Sequence, residues 1–427
     1  MKIFTFLSFI FFISLHGYSQ CSGGRYESDV FPAVTVTSNI VYGSNISSSG
    51  ATTSLKLDFY EPTGDTEIKR PLVIFAHGGS FIGGSKTDTD VTELCTRFAK
   101  KGFVCASIDY RVGFFPFDSV NSVKAVVRAV QDMKGALRFF YMNTSTNPSL
   151  YKIDTTNIFI GGSSAGAITA LHTAYLDKEC EMNSHLSSAT YNSMGGIDGT
   201  SGNAGYSSDV KGVINLCGAL AVYKWLDAGS VPFVSLHGTT DAVVGYNRQI
   251  VNPGVPLIYL DGSRMLFEQA AVVSVPNSFY TFKGAGHVPF AGTSAAQIAY
   301  MDTVVNFTRD FLVDQLGCTA TPLQLANTPV QTAILYPTIV CGAGGVTTVE
   351  EEKTCVIYPN PSENIIFIES TTTIKNIDIL DLTGKLLFTA QPTTTIFELK
   401  KEGIGEGVFF VKIKTEKGEV TRKIIFN

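Results

Sequence analysis

Charge is scarce in this chain and none of it is in basic excess: 32 Lys and Arg stand against 37 Asp and Glu, giving a net charge of −5 and a pI near 5.7. A nucleic-acid binder needs a basic footprint to displace counterions from phosphates, and this composition offers none. Long apolar runs are missing too. Beyond residues 3–15, no stretch approaches the roughly 20 apolar residues of a transmembrane helix. That one run, Phe-rich and set behind Met1-Lys2, is short and flanked like a secretory leader, and the small residues Gly17 and Ser19 put cleavage before Gln20. Acylation of Cys21 is the alternative, disfavoured by the Gln before it.

Metal chemistry finds little support. The eight cysteines fit no zinc spacing, and Glu181 with His185, four apart, makes two ligands where a site needs more; solvated surface is the expected reading of that pair. Export to an oxidising compartment makes some disulfides expected among Cys21, Cys95, Cys105, Cys180, Cys217, Cys318, Cys341 and Cys355, with buried free thiols as the competing view. Their connectivity is not readable from the sequence.

What the chain does have is a set of polar residues, Gly-flanked or Gly-preceded, at the ends of apolar runs. Ile158-Phe159-Ile160 leads into Gly162-Ser163-Ser164-Ala165-Gly166, and small residues continue to Ala174. Strand, Gly-flanked serine and helix in that order form a nucleophile elbow, which lifts a serine hydroxyl above the sheet on a strained turn. In a chain with 40 glycines the pattern alone is weak, so its context decides.

That context comes from three other places. The apolar run 71–76 ends in His77-Gly78-Gly79-Ser80-Phe81, where consecutive glycines let N–H groups of Gly78 and Gly79 turn, with that of Ala165, toward a developing alkoxide. Alone, His-Gly-Gly-Ser would read as a strand-ending turn. The run 231–236 ends in His237-Gly238-Thr239-Thr240-Asp241, and the alternating run 278–282 leads through Gly284-Ala285-Gly286 to His287. Asp241 is the expected acid and His287 the expected base. A lone Asp after a strand is usually a cap and a lone loop His is usually solvated, but the order Ser, Asp, His, each after a strand, is that of α/β-hydrolases. The other histidines are poorer bases: His16 lies in the leader, His77 in the oxyanion loop, His172 in mid-helix, and His237 at a strand end.

On these residues, positions 36–316 resemble an α/β-hydrolase-fold carboxylesterase, similar to secreted bacterial esterases with an HGG-type oxyanion loop. Asp109-Tyr110-Arg111 after the run 103–108, and the helical segment 129–140, agree with that family and read as structural. Two positions depart from it. Ser163 stands where hormone-sensitive-lipase relatives carry Asp and type-B carboxylesterases Glu, and Ser80 replaces the third glycine of the oxyanion loop. The resemblance implies an α/β-hydrolase fold, mostly parallel sheet with helices on both faces, and an acyl-serine mechanism on Ser164, Asp241 and His287 that needs no metal or cofactor.

Past residue 316 the composition shifts to Thr, Pro and Gly and then Glu350-Glu351-Glu352, which reads as a linker. Short alternating runs follow at 365–369, 374–380, 385–388, 395–399, 408–415 and 420–426, the spacing of a small antiparallel sandwich, which on spacing alone fits a carbohydrate-binding module as well. Tyr358-Pro359-Asn360-Pro361, Asp381-Leu382-Thr383-Gly384-Lys385, Gly407-Val408-Phe409-Phe410-Val411-Lys412 and the terminal Thr421-Arg422-Lys423-Ile424-Ile425-Phe426 resemble the type A sorting domain of type IX secretion cargo. This implies an immunoglobulin-like fold and the type IX machinery as partner. The expected organisation is a signal peptide at 1–19, a catalytic domain at 20–316, a linker at 317–353 and a sorting domain at 354–427.

The expectation is therefore a secreted or cell-surface serine carboxylesterase, with acetyl and feruloyl esters of polysaccharides among the open substrate classes. A serine peptidase or a lipase of the same fold, and a catalytically silent surface protein on the same scaffold, are the alternatives. The chain has no extra gating domain of the kind a prolyl-oligopeptidase-type peptidase carries. It also has no long apolar lid helix of an interfacial lipase. The stretch 177–209, rich in Gly, Ser and Asn, is a candidate cap or pocket loop, and Phe81, Phe114, Phe115 and Phe117 are candidates for the mouth.

Overall fold

The computed structural model describes residues 21–183, 185–318, 329–336, 338, 355–416 and 418–427. The expected leader at 1–19 and much of the expected linker at 317–353 lie outside them. Two compact units divide at Cys341 and Gly342.

The first unit opens with two long antiparallel strands, β1 (Val34–Ile46) and β2 (Thr52–Pro62). It then alternates through β3 (Arg70–Ala76), α1 (Thr89–Lys100), β4 (Val104–Ile108), α2 (Ser119–Thr146), the single turn α3 (Pro148–Tyr151), β5 (Ile153–Ser163) and α4 (Ala165–Tyr175). After the short helices α5 (Glu179–Met182) and α6 (Ser188–Ser193) come β6 (Gly212–Leu216), β7 (Ala219–Leu220), β8 (Phe233–Gly238), β9 (Arg248–Ile250), β10 (Tyr259–Gly262), α7 (Ser263–Val273), β11 (Asn277–Phe282) and α8 (Ala295–Gln315).

The main sheet runs β1-β2-β4-β3-β5-β6-β8-β11. From β4 to β11 every pairing is parallel, while β1 and β2 join antiparallel at one edge. Runs such as Arg70–Ala76 and Val104–Ile108 are buried at every residue, as strands covered on both faces must be. Two separate apolar clusters lie over the sheet. One gathers α2, α4 and α7 with Leu72, Ile74 and Ile160, and the other gathers α1 and α8 with Val73, Phe75 and Phe159. The alternation of neighbours along β3 between the two clusters is the period-two rule of a strand. From β3 the chain moves outward to β4 and then returns to β5 on the other side, so the carboxyl ends of β3 and β5 flank a topological switch point, where ligands bind in open α/β sheets.

The second unit is an antiparallel β domain of β12 (Cys355–Tyr358), β13 (Ile365–Leu380), β14 (Leu386–Ala390), β15 (Thr394–Lys400), β16 (Gly407–Thr415) and β17 (Glu419–Phe426). The expected runs 365–369 and 374–380 are one continuous strand. Its first half pairs with β12 and β15 and its second with β14 and β16, with register shifts between Glu369 and Ile374. Ile366, Ile368, Ile377, Ile379, Val411 and Ile424 fill its core.

Candidate active site

The elbow forms because nothing larger than glycine fits beside Ser164. A Cβ on Gly166 would stand 2.0 Å from the carbonyl oxygen of Ala76, and one on Gly162 would stand 2.4 Å from the same atom. β5 and α4 therefore pass over the end of β3 at backbone contact. Ser164 itself holds φ 55° and ψ −118°, a conformation that costs a non-glycine residue on the order of 1–3 kcal/mol and collects at functional sites.

From that turn a chain of hydrogen bonds crosses the sheet. Ser164 Oγ lies 2.7 Å from His287 Nε2, and His287 Nδ1 lies 2.6 Å from Asp241 Oδ2. The three residues come from the ends of β5, β8 and β11, the places the sequence assigns them. Ser164 and Asp241 are buried and His287 is partly open. The second oxygen of Asp241 accepts the N–H groups of Val243 and Val244, each at 2.9 Å. Burial by itself would raise the pKa of this carboxyl, but hydrogen bonds from His237 and His287 outweigh it and hold the group well below the ordinary carboxylate range.

His237 is thus closer to the chemistry than a strand-end residue. Its Nε2 is 3.3 Å from Asp241 Oδ2 and 2.9 Å from the Val244 carbonyl, and its Nδ1 is 2.8 Å from Ser263 Oγ. Fully buried, it holds the same oxygen of Asp241 that His287 contacts. The spacing of four from Asp241 was its signal in the sequence.

The oxyanion-loop residues Gly78 and Gly79 follow β3 and border the same opening as Ser164 and His287. Ala165 begins α4, so its N–H lies at the positive end of a helix. Among the described residues the N–H groups of Gly78, Gly79 and Ala165 donate to no backbone carbonyl outside regular elements. His77 is pinned instead by structure: Nδ1 lies 2.6 Å from the Gly78 carbonyl, its ring stacks on Tyr110 at 4.3 Å, and burial lowers its pKa. Tyr110 Oη donates to the His77 carbonyl at 2.8 Å, so the structural role expected for Asp109-Tyr110-Arg111 includes the loop itself.

Ser163, the departure before the nucleophile, donates its hydroxyl to Asp90. Both are buried. A carboxylate thus reaches this position from the first turn of α1, which no sequence spacing announces.

Two clefts meet at Ser164. One is apolar and follows a face of α4 past Ala165, Ile168, His172 and Leu176, with Phe81, Phe114 and Trp225 at its sides. The residues that border it along this face, from 165 to 176, span about 16 Å of rise. The connection between β9 and β10 supplies Val251, Leu257 and Ile258, and the candidate stretch after α4 supplies Met182 and His185. Phe115 and Phe117 are exposed and line neither cleft. The other cleft is open and more polar than the first, bordered by Thr87, Asp88, Asp90, Asn252 and His287 along with Val243, Pro253 and Val288.

Glu181 and His185 are not solvated surface. Glu181 is buried and accepts the N–H groups of Asp177 and Lys178, while His185 sits edge-on to Trp225 at 5.8 Å. No group of three or more His, Cys, Asp or Glu residues suited to a metal occurs among the described residues. Cys21 and Cys318 are disulfide-bonded, as is Cys180, whereas Cys95, Cys105, Cys217 and Cys355 are buried free thiols.

Residues 57–205 match the BD-FAE family model, and residues 356–427 match the model of the secretion system C-terminal sorting domain. Carboxylesterase 3B of Mus musculus is 33% identical over 116 residues, 27% of this chain and 19% of that protein. The Neuroligin-like protein glit-1 of Caenorhabditis elegans is 29% identical over 115 residues, 26% of this chain and 15% of that protein. The chain thus spans less than a fifth of either curated relative. Among solved structures, esterase 2 of Thermogutta terrifontis phosphorylated by paraoxon is similar at 21% identity and a TM-score of 0.49, over 66% of this chain and 95% of that one. Its apo form is similar at 21% and 0.49, over 69% and 99%.

Proposed function

We propose that this chain, an esterase-type α/β-hydrolase domain followed by a type IX secretion sorting domain, is a secreted serine carboxylesterase acting through Ser164, His287 and Asp241. The observation that carries the reading is the unbroken pair of hydrogen bonds from Ser164 to His287 and from His287 to Asp241, at 2.7 and 2.6 Å. In this reading Ser164 Oγ attacks the acyl carbon as its proton passes to His287 Nε2. The carbonyl oxygen becomes an alkoxide facing the N–H groups of Gly78, Gly79 and Ala165. His287 then returns the proton to the leaving alcohol, and water repeats the sequence to release the acid. Asp241, held anionic, keeps the Nδ1–H tautomer and balances the imidazolium.

The two clefts sort the halves of the ester. The apolar cleft along α4 suits an alkyl or aryl acyl group longer than acetyl, and the polar cleft suits a hydroxyl-rich alcohol. Feruloyl esters of polysaccharides fit that division better than acetyl esters do. For the second unit, the halves of β13 pair with different partners across a register shift, which supports an immunoglobulin-like sandwich, and the type IX machinery is its proposed partner.

Fluorophosphonate labelling tests the central claim. Wild-type protein is expected to take one label at Ser164, and Ser164→Ala to take none while losing at least about 10³-fold in ester turnover. Unchanged turnover in the variant, or no label in the wild type, refutes the assignment.

A further inference from the structure

The segment after α8 does more than lead away from the hydrolase. Residues 330–336 and 338 lie inside the first compact unit and are fastened to the walls of the apolar cleft. At their centre is Asp261, fully buried at the end of β10. Its carboxylate accepts the Tyr336 hydroxyl at 2.7 Å and the Tyr223 N–H at 2.8 Å, and pairs with Arg248 at 2.7 Å. Tyr336 lies under the Arg248 guanidinium at 4.0 Å, and its carbonyl accepts the Tyr223 hydroxyl at 2.9 Å. Asn247 grips the same segment twice, donating to the Thr332 carbonyl at 2.7 Å and accepting the Ile334 N–H at 2.9 Å.

These contacts converge on two pieces of the cleft. Arg248 and Asp261 are paired across β9 and β10, so they form the base of the hairpin whose far end carries Val251, Leu257 and Ile258 into the cleft. Tyr223 belongs to the 3₁₀ turn Tyr223–Trp225, whose last residue is a cleft wall. A buried carboxylate with one partner removed leaves the others misaligned, because the low-dielectric site has no water to substitute for it.

We propose that residues 330–336 form a strap, with Tyr336 as its key, that positions the acyl-binding cleft and thereby sets acyl selectivity. This rests on the esterase reading above. Tyr336 touches no reacting atom and acts through Arg248, Asp261 and Tyr223. The acetyl group of a short ester stops beside Ser164 and is indifferent to the strap, whereas a long acyl group extends past Trp225 and the hairpin and depends on it.

The test uses the full chain with Tyr336→Ala, Tyr336→Phe and, from the hairpin side, Asn247→Ala. Substrates are p-nitrophenyl acetate and p-nitrophenyl octanoate. Tyr336→Ala is expected to lower kcat/KM for the octanoate by about tenfold through KM, a change of roughly 1.4 kcal/mol, with the acetate within about twofold. Tyr336→Phe keeps the ring over Arg248 but loses the bond to Asp261, so it is expected to fall between wild type and alanine. Trp225 is the one tryptophan of the chain, so its emission reports the cleft wall independently of turnover, and a red shift with greater acrylamide quenching is expected. Parallel loss on both esters, or unchanged Trp225 emission in both Tyr336→Ala and Asn247→Ala, overturns the strap. Absence of all ester turnover in wild type would instead overturn the esterase reading, with Trp225 emission still deciding the strap.

Discussion

Breaking the disulfide between Cys21 and Cys318 is expected to destabilise the first unit strongly without touching the candidate site. The two cysteines are 297 positions apart, so the bond closes nearly the whole first unit into one loop. Chain-entropy arithmetic for a loop of that size gives about 6 kcal/mol of restraint on the unfolded state, and removal of native disulfides typically costs about 2–5 kcal/mol. The folded state has little reason to change. The arm carrying Cys21 stays docked through a bidentate pair of Arg25 with Asp65 at 2.9 and 2.6 Å and through Tyr26, buried against Phe103 at 4.9 Å. Neither cysteine borders a cleft at Ser164. For Cys21→Ser with Cys318→Ser, the melting temperature is expected to fall by roughly 4–20 °C, from about 2–5 kcal/mol at about 2–4 °C per kcal/mol for a large domain. Turnover of a small ester at 25 °C is expected to stay within about twofold. An unchanged melting temperature in oxidised protein would refute the loop argument, and lost turnover in still-folded protein would show that the arm supports the site.

His172, fully buried beside the apolar cleft, has its pKa pushed down by burial to about 4 from the ordinary 6.5 of an imidazole. The unfolded chain therefore takes up this proton first, so the group's contribution to stability is complete above about 6.5 and is lost as pH falls toward 4, by about 3 kcal/mol at most. Asp241, depressed from 3.8, enters only below that window; urea melts at pH 7 and 4.5 should show a smaller difference in His172→Gln than in wild type, and an equal difference would be decisive against it. Gly166→Ala, whose Cβ would stand 2.0 Å from the Ala76 carbonyl oxygen, should abolish activity or folding, while Gly286→Ala, with nothing within 4 Å of its Cβ, should stay within about twofold of wild type in ester turnover. Equal behaviour of the two variants would mean that backbone contact at the elbow is not what the glycine serves.

Residues that must sit at a strand end on a tight turn were legible, because both requirements leave marks in one dimension. Ser164, Asp241 and His287 each follow an apolar run, and Gly162 and Gly166 record how closely β3, β5 and α4 approach. Contacts between residues far apart in the chain left no such mark. Asp90 reaches Ser163 across 73 positions, and the walls of the apolar cleft come from α4, the segment after it, the 3₁₀ turn at Trp225 and a hairpin with strands of only three and four residues. Strands that short have too few positions to show a period. Glu181 and His185 misled for the opposite reason. A polar pair in a Gly- and Ser-rich stretch has the composition of surface, and only the burial of Glu181 and the contact of His185 with Trp225 show otherwise.

The same limit applies to where the hydrolase ends. A drop in apolar periodicity after α8, with Thr and Pro rising, is what a linker looks like, because a linker and a strap share one composition. They differ in whether their backbone groups find partners, and that is decided by the surface they cross. Here Arg264 takes the Gln331 carbonyl at 2.6 Å, Asn247 binds at two points, and the buried Asp261 takes the Tyr336 hydroxyl. A chain ending at Leu316 would leave Asp261 with one acceptor site unfilled, Asn247 with two lost partners, and Cys21 without Cys318. If the strap holds, separation of the sorting domain that leaves the apolar cleft intact is expected to fall beyond residue 336, a boundary set by hydrogen bonding and not by the end of the last helix.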